Sequence, residues 1–313
     1  MDTILILGGT GFIGKNIVES FKNDDNCKLV VVSRDPNLID NAIFSADSIS
    51  VELGSFSDPV FIENLIVEHD VTIIIHLISN LIPSSSATEF YEGMNDFIIP
   101  TFRLIDFIAN KKIKFMFFSS GGTIYGNSDA VINEETPLNP INNYGFTKLI
   151  VENYIRFKSN SSQLDYIILR PSNVYGKYQL FDRNQGFISV AINKIQNDLP
   201  IEIWGDGNTI RDYIDVFDVV SIVRKLLHSS ISNVTLNLST GVGFSLLEMI
   251  QIIEANLGKK GIVHFNTKRI VDANKVILDN TKLLDIVDHE FIGVLEGINH
   301  QIKYYNTTIS SAK

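Results

Sequence analysis

Apolar residues along this chain fall into short continuous runs, separated by stretches in which they recur at every third or fourth position. The runs lie at 3–7, at 28–32, in "VTIIIHLIS" (71–79), in "IKFMFFSS" (113–120) and in "LDYIILRPS" (164–172). A continuous apolar run fits a strand buried on both faces, and the spaced pattern fits an amphipathic helix. The spaced stretches run from about Lys15 to Lys22 and over 59–68, 96–111 and 144–158. Strands and helices that alternate in this way predict an α/β fold with a doubly wound, parallel Rossmann-type sheet. Beyond about residue 172 the runs shorten and the loops lengthen. Helices are expected at 186–198 and 245–257, with a strand in "IEIWGDG" (201–207). The expected division is a main domain over 1–172 and a smaller α/β lobe over 173–313, with 215–240 returning a helix and strand to the main sheet.

Bulk properties narrow the class. The 313 residues are 45% hydrophobic and 20% charged, enough for a sizeable core. A formal charge of -10 leaves no basic stripe of the kind nucleic acid requires. Cys27 is the single cysteine, so no internal disulfide forms and a reducing cytoplasm is the expected compartment. No apolar run reaches the roughly 18 residues of a membrane span, and no spacing of His, Cys, Asp or Glu suggests a metal site. His76 closes an apolar run and reads as a core histidine.

Two local patterns carry chemistry. In "ILILGGTGFIGKNIV" the glycines Gly8, Gly11 and Gly14 stand between a strand and a helix. That spacing allows a tight turn whose amides approach a pyrophosphate at the helix N-terminus, so a dinucleotide is the expected ligand. In "NNYGFTKLIVENY", Tyr144 and Lys148 lie one turn apart on a single helix face. A nearby ammonium stabilises phenolate, which makes tyrosine a workable acid/base for a hydroxyl proton. Upstream, "FFSSGGTIYG" brings hydroxyls that can hold a reacting oxygen.

Together with "LRPSNVYG", "IEIWGDGNTIRDYIDVFDVV" and "KRIVDANKVILD", these segments resemble the extended short-chain dehydrogenase/reductase superfamily over almost the whole chain. The similarity is to its nucleotide-sugar branch, the epimerases and 4-keto-sugar reductases. The resemblance implies Tyr144 as acid/base and Lys148 as its electrostatic partner and ribose ligand. It implies that Phe12, Ile13, Leu77 and Pro171 join the glycines against the dinucleotide, and that Asn173, Trp204, Arg211, Arg269 and Asp272 line the nucleotide-sugar lobe. It also implies a homodimer through the helix bearing Tyr144. Arg211 fits a bidentate diphosphate clamp, although a pair with Asp212 is the plain alternative. For Trp204, a wall for base or sugar competes with core packing.

Three positions depart from the resemblance. Gly121 stands where many relatives carry a hydroxyl residue, so Ser120 and Thr123 become the candidates for that role. Phe97 stands where relatives often place an asparagine. Ser33 and Arg34 end the second strand where an NAD binder usually has an acid; serine removes the repulsion of a 2′-phosphate and arginine supplies a partner for it. NADP(H) is therefore the favoured cofactor and NAD the alternative. Consumption of NADPH fits a reductase acting at C4 of a dTDP- or CDP-linked 4-keto-6-deoxyhexose for surface polysaccharide. The alternative is a UDP-hexose 4-epimerase with bound NAD, and a non-catalytic dinucleotide sensor ranks below both. Dehydratase relatives carry an Asp-Glu pair where Gly122 and Thr123 stand, so dehydration ranks last.

Overall fold

The computed structural model describes residues 1–128, 130–182, 186–267 and 273–311. Along the chain these form β1 (Asp2–Leu7), α1 (Phe12–Phe21), β2 (Cys27–Ser33), α2 (Asn41–Phe44), β3 (Ile49–Leu53), α3 (Pro59–Glu68), β4 (Ile73–His76), α4 (Ala87–Gly93) and α5 (Ile99–Ile108). Then come β5 (Lys114–Phe118), α6 (Gly121–Ile124), α7 (Asn143–Ser159), β6 (Asp165–Pro171), β7 (Asn173–Tyr175), α8 (Phe187–Gln196), β8 (Pro200–Trp204), β9 (Ile210–Asp215) and α9 (Val216–Leu227). The last elements are β10 (Val234–Leu238), β11 (Gly243–Ser245), α10 (Leu246–Leu257), β12 (Ile262–Asn266), β13 (Lys275–Val276), α11 (Thr281–Leu284) and α12 (Val294–Ser311).

Two compact units share these elements. The first comprises 1–124, 140–170 and 229–236; the second comprises 125–139, 171–228 and 237–313. The first is built on a seven-stranded sheet in the order β10-β6-β5-β4-β1-β2-β3. Its pairs β1–β2, β1–β4, β2–β3, β4–β5 and β5–β6 are parallel. Strand order turns around at β1 and β4, so the loops after these strands fall where an open α/β sheet takes its ligand. In the core of this unit Ile74, Phe115, Phe117 and Ile168 pack with Val151 and Ile155 of α7 and Leu104 and Ile105 of α5.

Local chemistry sets the element ends. Asp58 caps α3 by accepting from the amides of Val60 and Phe61, and Pro59 takes the first helical position. Asn142 caps α7 through the Gly145 amide. The helix expected over 96–111 is interrupted: Met94–Ile98 is a π-helical turn, and α-helix proper begins at Ile99. Pro100 has no N–H to give the carbonyl four residues back, and the Thr101 hydroxyl donates to the Phe97 carbonyl at 2.6 Å.

In the second unit β9 pairs with β7, β11 and β13, and β8 pairs with β12. Ile188 and Ile192 of α8, Met249 and Ile253 of α10 and Ile298 of α12 form its core with Ile201 and Ile203 of β8. Among the described residues no helix is long and apolar enough to cross a membrane.

Candidate active site

The glycine turn places backbone where side chains would normally stand. A Cβ on Gly14 would lie 2.2 Å from the Gly8 carbonyl oxygen and 2.6 Å from the Gly9 Cα, so α1 starts against the end of β1 only because glycine is there. The Gly11 amide donates to the Gly8 carbonyl at 3.0 Å. Gly11 caps α1 with no side-chain hydrogen bond, and the first turn carries no acid. The amides at this helix start therefore keep their capacity for an anion, as a pyrophosphate requires. Phe12 and Ile13 open that helix, and Leu77 follows β4 directly beside Gly8, donating its amide to the Leu7 carbonyl at 2.9 Å. These residues fit a dinucleotide phosphate.

At the end of β2, Ser33 is buried and its hydroxyl donates to the Asp35 carbonyl at 2.9 Å. The serine therefore shapes its own turn. Arg34 is exposed, and Asp35 caps the short turn at Pro36–Leu38 by accepting from the Asn37 amide at 2.9 Å. Arg34 thus keeps its guanidinium on the surface beside the strand end.

Tyr144, Lys148, Ser120 and Thr123 all belong to the first unit, on α7 and on the β5–α6 turn. The Thr123 hydroxyl donates to Ser120 Oγ at 2.9 Å, and the Ser120 side chain hydrogen-bonds Tyr144. Burial raises the Tyr144 phenol above its ordinary range, the Ser120 bond working the other way, so the resting group is the neutral phenol. Gly145 makes the approach possible. A Cβ there would sit 2.5 Å from the Thr123 carbonyl oxygen, so α7 could not lie so close to α6.

Lys148 is buried and donates to the Phe118 carbonyl at 2.9 Å and the Ile78 carbonyl at 3.5 Å. Its Nζ lies 4.9 Å from the ring centre of Phe117, 5.0 Å from that of Phe97 and 5.7 Å from that of Tyr144. Burial lowers its pKa from 10.5 to about 7, opposed by the charge of Glu152. Phe97, carried on the π-helical turn, thus walls the ammonium. His76 is fully buried, shares a hydrogen bond with the Thr101 hydroxyl at 3.1 Å, and meets Phe56, Phe97, Phe115 and Phe117 edge-on. Burial, then the Lys148 charge, lowers its pKa to about 3, so the ring is neutral.

One group escaped the sequence reading. Glu152 lies on α7 one turn beyond Lys148 and is fully buried. Arg170 of β6, itself buried, donates to it from Nε at 3.0 Å and from NH2 at 2.7 Å, and Arg156 donates at 2.6 Å. The i, i+4 series Tyr144, Lys148, Glu152, Arg156 was present in the sequence as a signal.

The remaining described candidates, Pro171, Asn173, Trp204 and Arg211, lie in the second unit. Pro171 ends β6 and Asn173 opens β7, where its side-chain amide donates to the Asp212 carbonyl at 2.8 Å. Arg211 stands on β9 and donates to its neighbour Ile210's carbonyl at 2.9 Å. The Asp212 carboxylate is buried and accepts from the Gly241 amide and from the amide and hydroxyl of Thr240. Trp204 ends β8 and is 40% exposed, which is more than a core side chain leaves open. Arg269 and Asp272 lie outside the described residues. Among the described residues no group of three or more His, Cys, Asp or Glu side chains is placed to hold a metal ion.

Known proteins are similar to this chain in sequence and fold. The model of the NAD dependent epimerase/dehydratase family matches residues 4–238. A dTDP-4-dehydro-6-deoxyglucose reductase of Escherichia coli is 31% identical over 280 residues, covering 88% of each chain. The crystal structure of a UDP-glucose 4-epimerase from Thermotoga maritima with UDP-glucose superposes with a TM-score of 0.90 at 26% identity, covering 98% of this chain and 99% of that one. The structure of MoeE5 with UDP-glucuronic acid and NAD gives 0.88 at 26% identity, covering 98% and 100%. With three quarters of its length inside the family match and the glycine turn and Tyr/Lys helix in place, this chain is an enzyme belonging to the NAD dependent epimerase/dehydratase family, the nucleotide-sugar oxidoreductases and epimerases that act at C4.

Proposed function

We propose that the protein is an NADPH-dependent reductase acting at C4 of a nucleotide-linked 4-keto-6-deoxyhexose. The observation that supports this reading is the end of β2, where buried Ser33 shapes the turn and exposed Arg34 leaves a guanidinium beside the strand end as a partner for the 2′-phosphate of NADPH. A ketone becoming an alcohol needs a proton donor at its oxygen, and a neutral phenol is one. When bound, the reduced nicotinamide supplies the hydride that the C4 carbon accepts. Tyr144 gives its proton to the C4 oxygen as negative charge develops there, Ser120 holds that oxygen in line, and Thr123 fixes the Ser120 hydroxyl by donating to it. Lys148, anchored by the Phe118 and Ile78 carbonyls, offsets the charge left on the phenolate. The glycine turn and the start of α1 are assigned to the pyrophosphate, and Arg34, exposed at the end of β2, is assigned to the 2′-phosphate. Asn173, Trp204, Arg211, Arg269 and Asp272 are assigned to the nucleotide sugar. The identity with the Escherichia coli reductase supports this choice.

The second reading is a UDP-hexose 4-epimerase with bound NAD, favoured by the likeness to the Thermotoga maritima enzyme with UDP-glucose and to MoeE5 with NAD. In that cycle Tyr144 acts first as base and then as acid, and the cofactor is not consumed. The test incubates the protein with NADPH and dTDP-4-keto-6-deoxyglucose. The expected result is loss of nicotinamide absorbance with a new 4-hydroxy sugar in equal amount. Interconversion of UDP-glucose and UDP-galactose without added cofactor, and no consumption of NADPH, would replace the reductase by the epimerase.

A further inference from the structure

The charge of Lys148 has an unusual supporter. The ammonium is buried among Phe97, Phe117 and Tyr144, an apolar wall that favours the neutral amine. Among the described residues its hydrogen-bond acceptors are two carbonyl oxygens, those of Phe118 and Ile78. Among the described residues the ionisable groups facing it are Tyr144 and Glu152 on its own helix and His76 on β4, with the guanidiniums of Arg156 and Arg170 beyond Glu152 as opposing cations. His76 is neutral, and Tyr144 rests as a phenol. Toward the far end of α7, Asp106 of α5 engages Lys158 and Tyr154 instead. Among the described residues the one full negative charge that acts on Lys148 is therefore Glu152, one turn along α7.

Glu152 is built to stay ionised. It is fully buried, which alone would protonate it. The two-pronged bond from buried Arg170 and the bond from Arg156 hold it below the ordinary carboxylate range. Arg156 is in turn tied to the Thr235 hydroxyl of β10 at 3.2 Å. The clamp sits at the helical position whose carboxylate acts on the lysine beside the tyrosine.

Resting on the reading of Tyr144 and Lys148 above, we propose that Glu152 is a positioning residue for the reaction: clamped between Arg170 and Arg156, it keeps the buried Lys148 ammonium charged while Tyr144 gives up its proton. Glu152 touches neither substrate nor cofactor in this account and works through Lys148 alone.

The experiment follows the Lys148 amine itself, so it does not depend on which sugar is turned over. The full-length protein is labelled with [13Cε]-lysine, the Lys148 signal is assigned by its loss in Lys148→Arg, and its shift is titrated against pH. Glu152→Gln lowers the midpoint by about one pH unit or more, as expected for one charge at i, i+4 spacing in an effective dielectric constant of about 20. Arg156→Gln, at a position whose side chain is 31% exposed and tolerant of change, raises the midpoint by a few tenths of a unit because it removes a competing cation. The opposite signs are the signature, since a merely structural clamp would loosen in both variants alike. In turnover, the basic limb of the kcat profile moves to lower pH in Glu152→Gln with KM little changed. Unmoved midpoints, or midpoints moved in one direction, overturn the proposal. If Glu152→Gln does not fold, a flat titration of Arg156→Gln alone overturns it. Shifted midpoints with no turnover of any 4-keto sugar would retain the role of Glu152 and remove the reductase reading. Turnover with unmoved midpoints would do the reverse.

Discussion

Replacing Lys148 by methionine should make the protein more stable while removing its activity. The lysine is 2% exposed and its pKa falls from 10.5 to about 7. A base whose folded pKa lies below its unfolded value binds more protons in the unfolded chain, so it opposes folding at low pH and stops doing so as pH rises past the unfolded value. At pH 7 the unfolded lysine is charged and the folded one is half charged. The difference costs about 4 kcal/mol at about 1.4 kcal/mol per pH unit. Methionine fills a similar volume without a charge, but it strands the Phe118 and Ile78 carbonyls, at about 1 kcal/mol each. The net expectation is that Lys148→Met gains about 2 kcal/mol at pH 7.

The pH dependence separates this from a simple packing gain. At pH 9.5 the cost of the wild-type lysine falls to about 1 kcal/mol. The wild type should therefore gain about 3 kcal/mol between pH 7 and 9.5 relative to Lys148→Met, and the variant's advantage should vanish or reverse. Urea unfolding of both proteins at the two pH values, compared at equal m, gives these differences directly. A variant less stable than wild type at pH 7, with the same change toward pH 9.5, would refute the reasoning, because it would mean the folded lysine is as comfortable charged as in water.

Tyr144→Phe should cut kcat by about 10²–10⁴-fold with dinucleotide affinity unchanged, measured by turnover and fluorescence titration; full turnover would remove Tyr144 as the proton donor. Gly145→Ala should cost about 1–3 kcal/mol by urea unfolding and lower turnover, since its Cβ would meet the Thr123 carbonyl at 2.5 Å; an unchanged enzyme would deny that closeness its role. Arg34→Ala should weaken NADPH about tenfold or more and leave NADH nearly untouched, in a direct binding titration; equal loss of both would hand the cofactor preference to NAD. Glu152 has a depressed pKa, so its contribution is present above the unfolded carboxylate value and lost as pH falls through the folded one; in acid unfolding the wild type should lose stability more steeply than Glu152→Gln, and parallel curves would contradict that.

What the amino-acid order made visible was whatever one element encodes by itself. The bounds of α3 were legible because Asp58 and Pro59 mark its start and its apolar spacing runs unbroken to Glu68. Tyr144 and Lys148 were legible because a helix repeats every 3.6 residues, and the glycine turn because its spacing lies between a strand and a helix. The strand β3 was missed: its residues are half-buried at a sheet edge, so no continuous apolar run marks it. The π-helical turn was missed because its cue, Pro100, also suits the first turn of an ordinary helix. Glu152 was missed for a different reason. It belongs visibly to the Tyr144 face of α7, yet its partner Arg170 stands 18 positions away on β6, and only the sheet order brings that strand beside β5 and under α7. A glutamate on a helix reads as solvated until the strand carrying its arginine is placed. The residues proposed for the chemistry are thus local in sequence, whereas the buried charges around them depend on topology. Substitutions that spare Tyr144 and Lys148 can therefore still change the pH at which this enzyme works.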